Sequence, residues 1–142
     1  MTAPQGTLIG FDFGERRIGV AVLESALGLA RALTVIEAQA NEARFEAIDR
    51  IDAEWQPAIY VVGQPKHADG SVHEVARLAA KFGRRLAARY SKPVMLVDET
   101  LSSAEAESRI RETGREDGVD AVAAEIILQS YFDHPDHARP VA

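Results

Sequence analysis

The stretch TLIGFDFGERRIGVAVL, residues 7–23, decides the fold. Two short apolar runs, 7–13 and 18–23, flank a glycine and a charged turn, the pattern of two strands joined by a hairpin. A third apolar run, 29–36, follows after another short connection, so the first three strands are antiparallel. Beyond it the rhythm changes. Asn41 is placed to cap a helix whose Phe45, Ile48, Ile51 and Trp55 fall on one stripe, and Pro57 stops it. A fourth strand reads over 59–62. Ser71 with Glu74 forms a capping box opening a helix that runs to Tyr90, and Pro93 introduces a strand over 94–97. Ser102 with Glu105 opens a helix over 103–113, and 120–132 form a last, apolar-rich helix.

Helical crossovers make strands four and five parallel to strand one. Strands two and three occupy one side of strand one, so strand four takes the other side and creates a switch point where strand ends open onto a common crevice. The expected architecture is one α/β domain over 1–142: a five-stranded mixed sheet, strands 1–3 antiparallel and 4 and 5 parallel to 1, with helices on both faces. The ordered core is expected over 6–132. Segment 133–142, polar and containing two prolines, is expected to be a flexible tail, His134 and His137 included.

Composition bounds the function classes. The 142 residues suit about one average domain, and 46% hydrophobic with 27% charged residues is globular composition. The chain has no cysteine, which excludes disulfides, thiolate zinc sites and thiol nucleophiles. Sixteen Lys and Arg against twenty-two Asp and Glu give a net charge of -6, the wrong sign for a general polyanion coat, so any polyanion must be gripped locally. No basic leader and no long apolar run is visible, and the expected address is cytoplasmic.

Asp12 stands between Phe11 and Phe13 inside an apolar strand, where a carboxylate must be paired, coordinated or turned onto the Gly14 turn as a cap. Asp98 and Glu99 lie at the carboxyl end of strand five, and Asp120 opens the last helix. A solvated strand end and a simple helix cap are the plain readings of these acids. Aimed at one crevice they would repel each other, and a hard divalent cation such as Mg²⁺ or Mn²⁺ removes that penalty. Gly14 and Gly19 bracket the hairpin and suit a tight turn with positive φ or a close strand approach. In the helix ending at Tyr90, Arg77, Lys81, Arg84, Arg85 and Arg89 share an arc of about 140°, either a solvated face or a stripe that tracks phosphates. Arg16, Arg17 and Lys66 lie nearer the crevice and are the first candidates for nucleic-acid backbone contacts.

Four blocks, in order, carry a resemblance: GFDFGERRIGVAV, VVGQPKHADGS, VDETLSSAEAE and VDAVAAEIILQSYF. Together they resemble the YqgF/RuvX-type family, RNase H-like proteins related to Holliday junction resolvases and regarded as nucleases maturing the precursor of 16S ribosomal RNA. The resemblance implies an RNase H-like fold and metal-dependent phosphodiester hydrolysis at the 5′ end of that precursor during ribosome biogenesis. It implies catalytic and metal-binding carboxylates at Asp12, Glu99 and Asp120, with Asp98 open as a ligand beside Glu99. Two Mg²⁺ or Mn²⁺ ions about 4 Å apart would share Asp12 as a bridge. The implied partners are precursor rRNA, structured DNA and the pre-ribosomal particle, with no membrane and a monomer or weak dimer. The sequence has Thr100 where the family usually has Arg, and Asp117 where a basic residue is common. A binding or assembly module of the same fold without catalysis, and a junction resolvase acting on DNA, are the competing readings. The hairpin also resembles the phosphate loop of actin-like ATPases, which close two such domains around nucleotide where this length supplies one.

Overall fold

The computed structural model describes residues 5–37, 40–65, 74–99 and 119–141. Strands β1 (Thr7–Asp12), β2 (Arg17–Glu24) and β3 (Ala30–Glu37) are followed by helix α1 (Asn41–Trp55), β4 (Ile59–Pro65), α2 (Glu74–Tyr90), β5 (Val94–Glu99) and α3 (Val119–Asp133). A 3₁₀ turn, Pro135–His137, and a short strand β6, Arg139–Pro140, complete the order. The helix expected over 103–113 lies outside the described residues.

The sheet runs β3-β2-β1-β4-β5-β6. The β1–β2 and β2–β3 pairs are antiparallel, and β4 and β5 run parallel to β1, as the hairpin and crossover reasoning requires. Among the described residues six strands form where five were expected: β6 pairs antiparallel to β5, setting Met95 opposite Pro140 and Leu96 opposite Arg139. The segment expected to trail free is thus bound back onto the sheet edge. Pro140 suits an edge strand that needs few ladder donors, and Pro135 opens the 3₁₀ turn. Val141 donates its backbone N–H to Val94 O and packs against the core.

Period-two alternation divides the sheet into two buried layers. Ile9, Phe11, Val20, Val22, Tyr60, Val62 and Leu96 pack with α1 and α2, whereas Leu8, Ala21, Leu23, Val61 and Val97 pack with α3. Phe82 of α2 anchors the first layer, with ring centroids 5.4 Å from Phe11, 5.2 Å from Phe13 and 5.9 Å from Phe45. Helix α3 is apolar nearly all round. Ala124, Ile127, Leu128 and Tyr131 meet the sheet, while Val122, Ala123 and Ile126 form a separate buried cluster, as expected of a helix buried on more than one side. Among the described residues no helix is long and apolar enough to cross a membrane.

Ser71, expected to open α2 in a capping box, lies outside the described residues, whereas both ends of α1 are described. α1 closes through Gln56 in the left-handed region at φ 45, its N–H bonded to Asp52 O, just before Pro57. Its N-cap is Ala40, without a side-chain cap bond. Asn41, expected to cap, is the first helical residue instead.

Candidate active site

The carboxyl ends of β1, β4 and β5 meet at one edge of the sheet, and Asp12 is the last residue of β1. It shares strand parity with Leu8 and Gly10. A Cβ on Gly10 would lie 2.8 Å from Leu128 Cβ, so Asp12 belongs to the face that α3 covers. The carboxylate residue is half-buried between two buried phenylalanines.

Asp12 is flanked by glycines on both sides. Across β2 its partner is Gly19, and across β4 its partner is Gly63. A Cβ at Gly19 would lie 1.8 Å from the carbonyl oxygen of Asp120. The first turn of α3 therefore rests directly on the β2 backbone beside Asp12. A Cβ at Gly63 would lie 2.3 Å from Ile127 Cδ1. This bare row lets the helix approach the sheet and sets the first turn of α3, with Asp120, on the strand partner of Asp12. The pairing of Gly19 with Asp12 is a strand feature: the glycine is inside β2, and the requirement is close helix approach rather than the hairpin turn.

Arg17 begins β2, and its Nε lies 3.3 Å from Asp120 Oδ2, the two side chains 61% and 32% exposed. Asp120 thus has a cation beside it that reaches well into solvent. Arg16, in the turn before it, is exposed.

Asp98 goes elsewhere. It has the parity of Val94 and Leu96, the face of α2, and its Oδ1 accepts a bond from Arg139 Nη1 at 3.0 Å. Arg139 Nη2 also donates to Gln64 Oε1, and Gln64, opposite Asp98 in the ladder, donates to Ala76 O at 3.0 Å. Asp98 is therefore engaged in tying β6 and β4 to the start of α2, on the sheet face opposite Asp12 and Asp120. Glu99 ends β5 opposite Pro65, one strand period beyond Val97; its side chain lies outside the described residues. Lys66, Thr100 and Asp117 also lie outside them. Among the described residues no group of three or more potential ligands is gathered for a metal ion.

On α2, Arg77, Lys81, Arg84, Arg85 and Arg89 are all exposed. Two are engaged, Arg77 with Glu74 at 3.3 Å and Arg89 with Asp49 at 2.7 Å. Lys81 and Arg85 line a pocket of about 240 Å³ with Phe13, Glu15, Asn41 and Arg44, so the basic face of α2 borders the turn that follows Asp12. A larger groove of about 700 Å³ continues between α1 and α2, sharing Asn41 and Arg85 and adding Glu42, Glu46 and Arg89.

One participant was not read from the sequence. Arg44 is only 6% exposed, and burial pulls its pKa below the usual guanidinium value, against the nearby charge of Glu15. Its Nη2 donates to Gly14 O at 3.2 Å and to Glu15 O. The signal was present: Arg44 lies four residues before Ile48 and seven before Ile51, on the apolar stripe of α1.

Known proteins resemble the chain both in sequence and in fold. A family model described as RuvX, Holliday junction resolvase, matches residues 6–134. A protein of Dechloromonas aromatica (strain RCB), carrying the provisional name of a pre-16S rRNA nuclease, is 54% identical over 140 residues, covering 95% of this chain and 96% of its own length. A similarly named protein of Thiobacillus denitrificans (strain ATCC 25259 / T1) is 49% identical over 133 residues, covering 90% of this chain and 92% of its own. Among solved structures, T. thermophilus RuvC in complex with Holliday junction substrate aligns with TM-score 0.57 at 18% identity, over 96% of this chain and 99% of that one. The fowlpox virus Holliday junction resolvase aligns with TM-score 0.54 at 9% identity, over 89% and 98%. At such identities the shared property is the fold, the RNase H-like arrangement of a mixed sheet between helices.

Proposed function

Since the chain belongs to the RuvX family, whose model matches residues 6–134, we propose that it is a metal-dependent endonuclease that hydrolyses phosphodiester bonds in the maturation of the 5′ end of precursor 16S rRNA. The observation that supports this reading is the seating of the first turn of α3, which carries Asp120, on Gly19, the strand partner of Asp12, at a sheet edge that also bears Arg16 and Arg17. The names of the relatives from Dechloromonas and Thiobacillus support the choice of RNA substrate.

The donor set fits a divalent cation. Both described acids offer only oxygen, the choice of hard ions such as Mg²⁺ and Mn²⁺, and two like charges on one face gain from a cation between them. Asp12, Asp120 and Glu99 are the residues that would hold two such ions; Asp98, engaged with Arg139 on the other face, is left out of the set. Divalent ions there would supply Lewis acidity toward the phosphoryl oxygens and a lowered pKa for the attacking water. The chain's own residues orient the substrate. Arg16 meets a backbone phosphate, Arg17 exchanges its contact with Asp120 for a second, and the exposed Lys81, Arg84 and Arg85 extend the track along α2. Lys66 and Arg77, the latter beside Glu74, complete the set of proposed contacts. The setting is the cytoplasm and the pre-ribosomal particle, with the protein a monomer or weak dimer.

The family description favours one rival substrate, a four-way DNA junction. Incubating the protein with precursor 16S rRNA and, separately, with a synthetic junction, each with Mn²⁺ and then with excess chelator, decides between them. Chelator-sensitive cleavage near the 5′ end of the RNA is the expected result. Cleavage confined to the junction transfers the assignment to DNA, and cleavage of neither refutes the nuclease reading.

A further inference from the structure

We propose that Arg44 is a positioning residue that pins the turn after β1 and thereby fixes Asp12 and Arg17; this rests on the nuclease reading above. A guanidinium that is 6% exposed is costly to bury unless its donors are met. Two of its bonds go to one turn. Nη2 bonds the carbonyls of Gly14 and Glu15, and the guanidinium carbon sits 5.5 Å from the centroid of the Phe13 ring. All three residues that follow Asp12 are therefore touched by one side chain from a different element.

The turn leaves little slack. A Cβ on Gly14 would lie 2.5 Å from Arg17 O, so the chain doubles back at once into β2, where Arg17 meets Asp120. Arg44 holds the turn from the side of α1 and α2, and the first turn of α3 holds β2 from the other side of the sheet through Gly19. A hydrocarbon side chain of similar volume would fill the same space. The guanidinium fixes two consecutive carbonyls through one nitrogen while lying over the Phe13 ring, and lysine can supply the nitrogen but not the plane that stacks on a ring.

The test compares Arg44→Met, which keeps the stem without the donors, with Arg44→Lys and Arg44→Ala, beside wild type and Asp12→Asn. Because misplacing a reacting group by about 1 Å costs up to ~100-fold in rate, Arg44→Met is expected to lower kcat roughly 10- to 100-fold with KM little changed. Arg44→Lys should fall between Arg44→Met and wild type, and millimolar guanidinium should restore part of the Arg44→Ala rate. Hydrogen exchange of the amides of residues 14–17 should quicken in Arg44→Met while the strand amides of β4 and β5 are unchanged. If wild type cleaves, Asp12→Asn does not, and Arg44→Met keeps the wild-type kcat and exchange, the proposal is overturned and the nuclease reading stands. If wild type fails to cleave, the nuclease reading falls, and exchange alone decides: quickened amides in the turn retain the pinning role, unchanged amides remove it. Should Arg44→Met not fold, the same measurements on Arg44→Lys decide in its place.

Discussion

Replacing Gly19 by alanine puts one methyl group where the backbone of α3 already lies. The new Cβ would stand 1.8 Å from Asp120 O, 2.2 Å from Asp120 C and 2.8 Å from Ala121 N, all backbone atoms that no rotamer change can move. Restoring even a tight 3.0 Å contact to the Asp120 oxygen needs a retreat of about 1.2 Å by the helix start or the strand. Overpacking of this kind costs ~1–3 kcal/mol, and a rigid backbone obstacle puts Gly19→Ala at or above the upper end. Gly63→Ala is the internal control. Its Cβ would meet Ile127 Cδ1 at 2.3 Å, the far end of a side chain that can rotate away, so its cost belongs at about 1 kcal/mol. Urea unfolding of both variants measures the order, and at roughly 4 °C per kcal/mol for a domain of this size a thermal melt resolves it too. Only Gly19→Ala should also weaken cleavage beyond its effect on stability, because only there does Asp120 move. Equal destabilisation by the two variants, or a Gly19→Ala protein with wild-type activity, refutes the reasoning that the glycine row seats Asp120 beside Asp12.

Two further outcomes follow from the charged surface. Hydrogen bonds from Arg89 and then from Tyr90 hold the Asp49 carboxyl at about 2, below its usual 3.8; a depressed acid stabilises the fold above its unfolded pKa and stops doing so as pH falls from 4 toward 2. With its side chain 43% exposed, that contribution is screened to less than about 1 kcal/mol, and urea titrations across this range should show Asp49→Asn flattening the acid limb. Neutralising Arg84 and Arg85 together should weaken nucleic-acid binding and reduce the slope of log affinity against log salt by about 1.4 to 1.8; an unchanged slope, measured by filter binding, would return that face of α2 to plain solvation.

Much of this arrangement was legible because strand patterns here are strongly apolar. TLIGFD and RIGVAVLE become β1 and β2, with Asp12 as the break in the apolar run. The stripe Phe45, Ile48 and Ile51 gives α1 its buried side. What escaped depends on partners far along the chain. Which of Asp98 and its neighbour turns toward Asp12 is a matter of parity at a strand end, settled for Asp98 by Arg139, 41 residues away. β6 is two residues long and includes a proline, so local propensity reads it as a tail, and only its pairing to Met95 and Leu96 makes it a strand. His134 and His137, read as part of that tail, stack with centroids 5.1 Å apart on the 3₁₀ turn leading to it. Arg44 was overlooked because a charged residue in a first helical turn ordinarily faces water, and its burial is decided by a turn that precedes it by 29 residues.

The proposed function stands on Asp12 as part of the machinery of metal-dependent phosphodiester hydrolysis. The most direct measurement is the Mn²⁺-dependent rate of precursor 16S rRNA cleavage by wild type and Asp12→Asn, with a melting curve of each. Cleavage by wild type, a loss of at least about 100-fold in Asp12→Asn, and a variant that still folds are the expected results. A folded Asp12→Asn protein cleaving at the wild-type rate contradicts the proposal.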